Sequence, residues 1–198
     1  MTNPKFDSLS HDNIVAFLQD IFDRRGGEEY LGEPVTMAEH MLQGAHLAEL
    51  AGEPEATIVA ALLHDIGHFT SEFGTFSMND TEDRFHEEAG ATVLQPFFPT
   101  IVTDCVQHHV SAKRYLCATN PEYFQQLSDA SVHSLNLQGG PMSPSEVQTF
   151  EQQENLQEIV RVRHFDDAGK IANVKTKSFT DYAPMVQRVV DSCREHIG

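Results

Sequence analysis

The apolar positions of this chain recur at three- and four-residue intervals from one end to the other, and the residues between the runs are those that start and stop helices. Ile14, Val15, Leu18, Ile21 and Phe22 make the first run, with Ser10 placed to cap it and Gly26-Gly27 to end it. A short irregular stretch, EEYLGEPV, leads to Thr36 and Glu39, whose T-x-x-E spacing is a capping box for a helix that carries His40 and stops near Gly52. Pro54 suits the first turn of the next helix, PEATIVAALLHDIGH. That segment is apolar nearly all round until His64 and Asp65, as a central, buried helix would be.

A loop of Phe, Ser, Asn and Gly over residues 69–80 precedes a helix that Asp80 or Thr81 starts, that holds Phe85, His86 and Val93, and that stops before Pro96. Residues 100–109 suggest a shorter helix, and Asn120-Pro121 opens another that ends at Gly139-Gly140. Ser143-Pro144-Ser145-Glu146 is a second capping box, and a last helix runs from about Asp181 to His196. No alternating stretch of useful length predicts strands, and no repeat or linker divides the chain. The expectation is an all-α helical bundle forming a single domain over residues 1–198.

Composition narrows the partners. The chain has 198 residues, enough to bury a core without disulfides or metal staples, so a metal would be present for chemistry. Its 13 Lys+Arg against 30 Asp+Glu give a formal charge of −17, which opposes binding to nucleic-acid phosphates or anionic lipid. No apolar run is long enough for a membrane span, and the opening MTNPKFDSLSHDN lacks the basic and apolar regions of a signal peptide, so a cytoplasmic protein is expected. Cys105, Cys117 and Cys193 fit reduced thiols without a catalytic role.

Eleven histidines are the unusual number. On a helix His64 and His68 share a face, with Asp65 about 100° round from His64. A buried His-Asp pair costs several kcal/mol unless it is paired or bound to a cation. Imidazole and carboxylate together suit iron, manganese or zinc. His40, His86 and His109 each fall on a separate expected helix beside small or apolar residues, as donors converging on one interior point would. His11, His46, His108, His133, His164 and His196 read as ordinary core or surface histidines.

His40, then His64-Asp65, then the distant Asp166 resembles the H…HD…D signature of the HD-domain superfamily, a helical fold with one or two metal ions in the bundle core. HDxGH, RFHEEAG, HHVSAKRY, LSDAS, QGGPM and RHFDDAGK are similar to one small branch, the mixed-valent diiron oxygenases that cleave the C–P bond of 1-hydroxylated aminoethylphosphonates; the likeness covers roughly residues 30–170. It implies one iron held by His40, His64, Asp65 and Asp166, with Asp65 bridging to a second held by His86 and His109. The pair would be Fe(II)/Fe(III), with O2 as co-substrate. Asp167 is an alternative to Asp166 by proximity alone, and without the likeness the DD pair reads as a solvated loop.

The branch's Tyr-x-x-Glu segment is matched by Tyr30 and Glu33. It implies that Tyr30 fills an open iron position until substrate enters and that Glu33 receives the substrate's cationic nitrogen. Lys113, Arg163 and His68, with Ser131 and Ser134, match the phosphonate-binding positions, whereas Arg114 and Arg161 read as surface charges. The implied reaction converts (R)-1-hydroxy-2-(trimethylammonio)ethylphosphonate to glycine betaine and phosphate, with Phe69, Phe73, Phe76, Phe85 and Tyr30 around the cation. The alternative substrate is 2-amino-1-hydroxyethylphosphonate, giving glycine and phosphate. The competing reaction is hydrolysis of a phosphoester by an HD phosphohydrolase. No nucleic-acid, membrane or protein partner is implied.

Overall fold

The computed structural model describes residues 6–30, 32–70 and 81–195, and these form helices. In chain order they are α1 (Ile14–Arg25), α2 (Met37–Leu50), α3 (Glu55–Leu63), α4 (Gly67–Thr70), α5 (His86–Leu94), α6 (Thr100–Thr119), α7 (Pro121–Phe124), α8 (Asp129–Leu137), α9 (Pro144–Phe150), α10 (Leu156–Ala168) and α11 (Phe179–Glu195). Among the described residues the β structure is one isolated bridge, between Glu29 and Thr36. No helix is long and apolar enough to cross a membrane.

The centre is α3, where every residue from Thr57 to Leu63 is buried, and α2, α6, α10 and α11 pack around it. Both expected capping boxes form, Thr36 with Glu39 and Ser143 with Glu146. Ser10 does not cap α1: its carbonyl accepts from the Ile14 amide at 3.0 Å, and Asn13 occupies the cap position.

The HD segment is not one helix. α3 stops at Leu63, His64 to Ile66 form a turn, and α4 resumes at Gly67. Gly67 is where α5 crosses: a Cβ there would sit 1.7 Å from the His86 carbonyl oxygen and 2.9 Å from the Gly90 amide nitrogen. Only glycine permits that approach, so the His68 and His86 backbones are brought together by a missing side chain.

Other boundaries also move. α5 begins at His86, after Phe85 in the left-handed region at φ 49°, and not at Thr81. Asp80, Phe73, Phe76 and His196 lie outside the described residues. α6 continues ten residues past the expected end, because Val110, Ala112, Lys113 and Leu116 keep facing inward. The single helix expected after Asn120 is two, since Ser128 opens α8 by accepting from the Ser131 amide at 3.1 Å. α10 was not anticipated, and it places Asp166 and Asp167 in a helix's last turn, not in a loop.

Candidate metal centre

Four helices and one turn deliver the histidines and aspartates to one point. α2 supplies His40, the turn after α3 supplies His64 and Asp65, α5 and α6 supply His86 and His109, and α10 supplies Asp166. All six are buried, none more than 8% exposed.

They divide into two clusters that share Asp65. His40 Nε2 lies 3.0 Å from His64 Nε2, and both stand 3.4 Å from Asp65 Oδ2. Asp166 Oδ1 closes this cluster at 3.4 Å from His40 and 3.8 Å from His64. On the other side His86 Nε2 lies 3.0 Å from His109 Nε2, and Asp65 Oδ1 faces them at 3.2 and 3.3 Å. Each oxygen of one carboxylate therefore serves one imidazole pair.

The tautomers of the first pair call for positive charge, a proton or a metal ion, between the two rings. His40 Nδ1 is 3.0 Å from the Gly169 carbonyl, and His64 Nδ1 is 2.8 Å from that of Ala61. A carbonyl only accepts, so each Nδ1 donates, and in a neutral ring Nε2 then carries a bare lone pair. Two such lone pairs at 3.0 Å repel unless positive charge lies between them. Burial opposes charging His64, yet Asp65 and Asp166 lift its pKa to about 9. Burial alone would raise the Asp65 carboxyl, but His64, His109 and His40 hold it well below the usual carboxylate range.

Asp65 Oδ2 and Asp166 Oδ1 are buried without a hydrogen-bond partner among the described residues. Buried carboxylate oxygens in that state are expensive. Donors held about 2.1 Å from one ion stand roughly 3.0–3.4 Å apart at the edges of a tetrahedron or octahedron. Apart from the 3.8 Å between Asp166 and His64, the separations given for each cluster fall within that range, so both donor sets fit a metal ion, with four donors in the first and three in the second.

Above the second cluster lies a cleft with about 450 Å³ of empty space, part of it open to solvent. Its walls include Tyr30, Glu33, His68, Lys113, Ser131, Ser134 and Arg163, which brings together the residues expected to bind the phosphonate, to receive the nitrogen and to fill the open position, but not the expected phenylalanines. Tyr30 and Glu33 belong to a tight turn in which the Glu33 amide donates to the Tyr30 carbonyl at 2.7 Å and Gly32 adopts φ 74°. The YLGE sequence thus aims two side chains three residues apart at the same space. The Tyr30 ring stacks on His40 with centroids 3.9 Å apart. Burial, with Asp65 and Asp166, pushes its phenol well above the ordinary value.

His68 reaches the cleft from α4 and not from a face shared with His64. It stacks on His86 at 4.0 Å, and its Nε2 is 3.8 Å from Asp65 Oδ1. Lys113 Nζ donates to Ser134 Oγ at 2.7 Å, and burial, with Arg163, draws its pKa down to about 7. An anion in the cleft would favour its charged form. Arg163 is less available than expected: Nη1 meets Asp166 Oδ2 at 2.7 Å, Nη2 meets Asp167, and Nε donates to Tyr123 and Asp167.

Asp167 lies on the far side of this guanidinium, which makes Asp166 the donor that faces the histidines. Arg114 and Arg161 are engaged elsewhere, with Glu146 and with Glu53 and Glu158. Of the expected phenylalanine cage, the two described members do not join the cleft: Phe69 packs under the Arg25 guanidinium at 4.9 Å, and Phe85 is 52% exposed.

Two wall residues escaped the sequence reading. Lys170 follows the Gly169 that accepts from His40, and its Nζ donates to Ser131 Oγ at 2.9 Å. Gln43, buried in α2, clamps the backbone of Ile171 through both amide atoms, at 2.9 and 3.1 Å, and so fixes the segment that carries Lys170. The terminal lysine of RHFDDAGK was the available signal. Gln138, at the end of α8, presents a buried Oε1 without a partner among the described residues; it is the first residue of QGGPM, and that motif was the available signal.

A fold of packed helices around an H…HD…D ligand set defines the class, and the HD-domain family pattern matches residues 37–183. The chain belongs to that family. More particularly, it is 64% identical over 198 residues, the whole of both chains, to a Leisingera caerulea protein named 1-hydroxy-2-(trimethylamino)ethyl phosphonate dioxygenase (glycine-betaine-forming). It is 43% identical over 171 residues, 86% of this chain and 83% of the other, to a hydroxymethylphosphonate dioxygenase of Gimesia maris. An uncharacterised protein of Acanthamoeba polyphaga mimivirus is 34% identical over 182 residues, 88% of this chain and 83% of that one.

Proposed function

We propose that this chain, acting as one domain in the cytoplasm, is a dioxygenase that uses O2 to cleave the C–P bond of (R)-1-hydroxy-2-(trimethylammonio)ethylphosphonate, forming glycine betaine and phosphate. The observation that carries this reading is a pair of imidazole clusters sharing one carboxylate beside a cleft lined by both lysines and Glu33. The full-length likeness to the Leisingera caerulea enzyme supports the substrate.

His40, His64, Asp65 and Asp166 hold one iron, and Asp65, His86 and His109 the other, as an Fe(II)/Fe(III) pair. Bound iron supplies the redox chemistry by which O2 oxidises C1. In the balanced reaction both oxygen atoms of O2 enter the products, C1 becomes a carboxylate, and phosphorus leaves as inorganic phosphate with release of one proton. Lys113, Ser134, Ser131, Arg163 and His68 grip the phosphonate oxygens, Lys113 and Arg163 by charge-assisted hydrogen bonds. Glu33 takes the trimethylammonium, which has no N–H to donate and relies on charge. Tyr30 stands at the floor of the cleft and yields its place to substrate. Fixing both ends of the molecule aligns the C1–H bond, and burial of the cluster keeps water away.

The test is anaerobic loading with Fe(II), followed by O2 and a panel of phosphonates, with oxygen uptake and phosphate release read together. Equimolar O2 consumption and phosphate release from the trimethylammonio substrate, with the highest kcat/KM of the panel, is expected. A higher kcat/KM for 2-amino-1-hydroxyethylphosphonate overturns the nitrogen assignment. Phosphate from a phosphoester without oxygen uptake overturns the reaction class.

A further inference from the structure

Glu33 and Ser131, assigned above to opposite ends of the substrate, are joined through one hydroxyl. Ser128 Oγ donates to Glu33 Oε1 at 2.5 Å, lies 3.2 Å from Ser131 Oγ, and accepts from the Ser131 amide at 3.1 Å. Ser131 Oγ in turn accepts from Lys170 Nζ at 2.9 Å. A serine hydroxyl has a single hydrogen. That of Ser128 is aimed at two acceptors, Glu33 Oε1 at 2.5 Å and Ser131 Oγ at 3.2 Å, and the carboxylate, nearer and stronger, holds it. Ser131 Oγ is thus an acceptor from both Lys170 and Ser128, and a hydroxyl that accepts more strongly donates more strongly.

This competition has a consequence for binding. While Glu33 holds the Ser128 hydrogen, Ser131 has only Lys170 to polarise it. When a cation engages Glu33 and weakens its hold, the Ser128 hydrogen passes to Ser131 Oγ, and the Ser131 hydroxyl becomes a stronger donor to the anion. We propose that Ser128 is a positioning residue that makes recognition of the cationic end by Glu33 and of the anionic end by Ser131 and Lys170 interdependent, so that the cleft selects for substrates carrying both charges. The proposal rests on the functional reading above.

The experiment compares the KM and kcat of the trimethylammonio substrate with the inhibition constant of hydroxymethylphosphonate, which has no nitrogen, as a competitor in the iron-loaded full chain. Ser128→Ala is expected to raise KM for the cationic substrate about tenfold, the size of one charge-assisted contact, with a smaller change in kcat and in the competitor's constant. Ser128→Thr, which keeps the hydroxyl, restores KM. Lys170→Met, which leaves the α8 cap untouched, weakens both ligands, and combined with Ser128→Ala it gives less than the product of the single effects. Ser128→Ala weakening both ligands by one factor would reduce it to a helix cap and overturn the proposal, as would failure of Ser128→Thr to restore KM or independent effects of the two substitutions. A wild-type chain inert toward the phosphonate overturns the functional reading, and the proposal with it.

Discussion

The His40–His64 and His86–His109 pairs face the two oxygens of Asp65 at nearly the same distances, yet the chain supports them in different ways. Both rings of the first pair are tied from behind to backbone carbonyls, and their second carboxylate, Asp166, is held by Arg163. Both are 0% exposed. In the second pair only His109 has such a tie, to the Val106 carbonyl at 2.8 Å. His86 is the first residue of its helix, follows a left-handed Phe85, and has behind it the Glu87 carboxylate at 3.4 Å. Its pair also borders the cleft. The first cluster is enclosed and braced on every side, whereas the second has three donors and an open side, the arrangement that would leave a bound ion positions for incoming ligands.

Removing what the clusters share has the largest effect. Asp65→Ala is expected to take bound metal from two ions per chain to near none and to abolish turnover; elemental analysis on variant shown to be folded by circular dichroism checks it, and retention of one ion would mean that the clusters are independent. His86→Ala comes next, with loss of the second ion and retention of most of the first, read by the same analysis. Gly67→Ala is smaller. The 1.7 Å approach to the His86 carbonyl forces α4 and α5 apart, at a cost of about 1–3 kcal/mol in thermal unfolding, with the second ion lost before the first under a chelator. Lys113→Ala should leave both ions bound. It removes one charge-assisted contact, about 1.5–3 kcal/mol, and so raises KM by about one to two decades in steady-state assays.

The helix starts written in local chemistry, Thr36 with Glu39 and Ser143 with Glu146, were legible because their capping groups lie within four residues of one another. α10 was not, although it carries Arg163 and Asp166. Its buried face begins with Ile159 and Val162 but continues with Arg163 and Asp166, so the apolar periodicity that reveals other helices breaks off where the face meets the cluster. The break after Leu63 was hidden for a related reason: it is associated with the crossing of α5, a contact between residues far apart in sequence. The ligand set could be recognised as a pattern of residue types, but its division around the two Asp65 oxygens is a property of packing. Ser128 was hidden inside the single helix expected after Asn120, and its role as the cap of α8 emerges only in the fold.

The positive groups of the cleft are withdrawn from the surface: Lys113 and Arg163 are each 4% exposed, in a chain of formal charge −17. A phosphonate of net negative charge is therefore repelled on approach and attracted only over the last few ångströms. Added salt screens charges farther apart than about 8 Å at physiological ionic strength and barely touches buried contacts. Capture of the substrate should accordingly become faster as ionic strength rises, the reverse of electrostatically steered encounters between opposite charges, while the bound state keeps its lifetime.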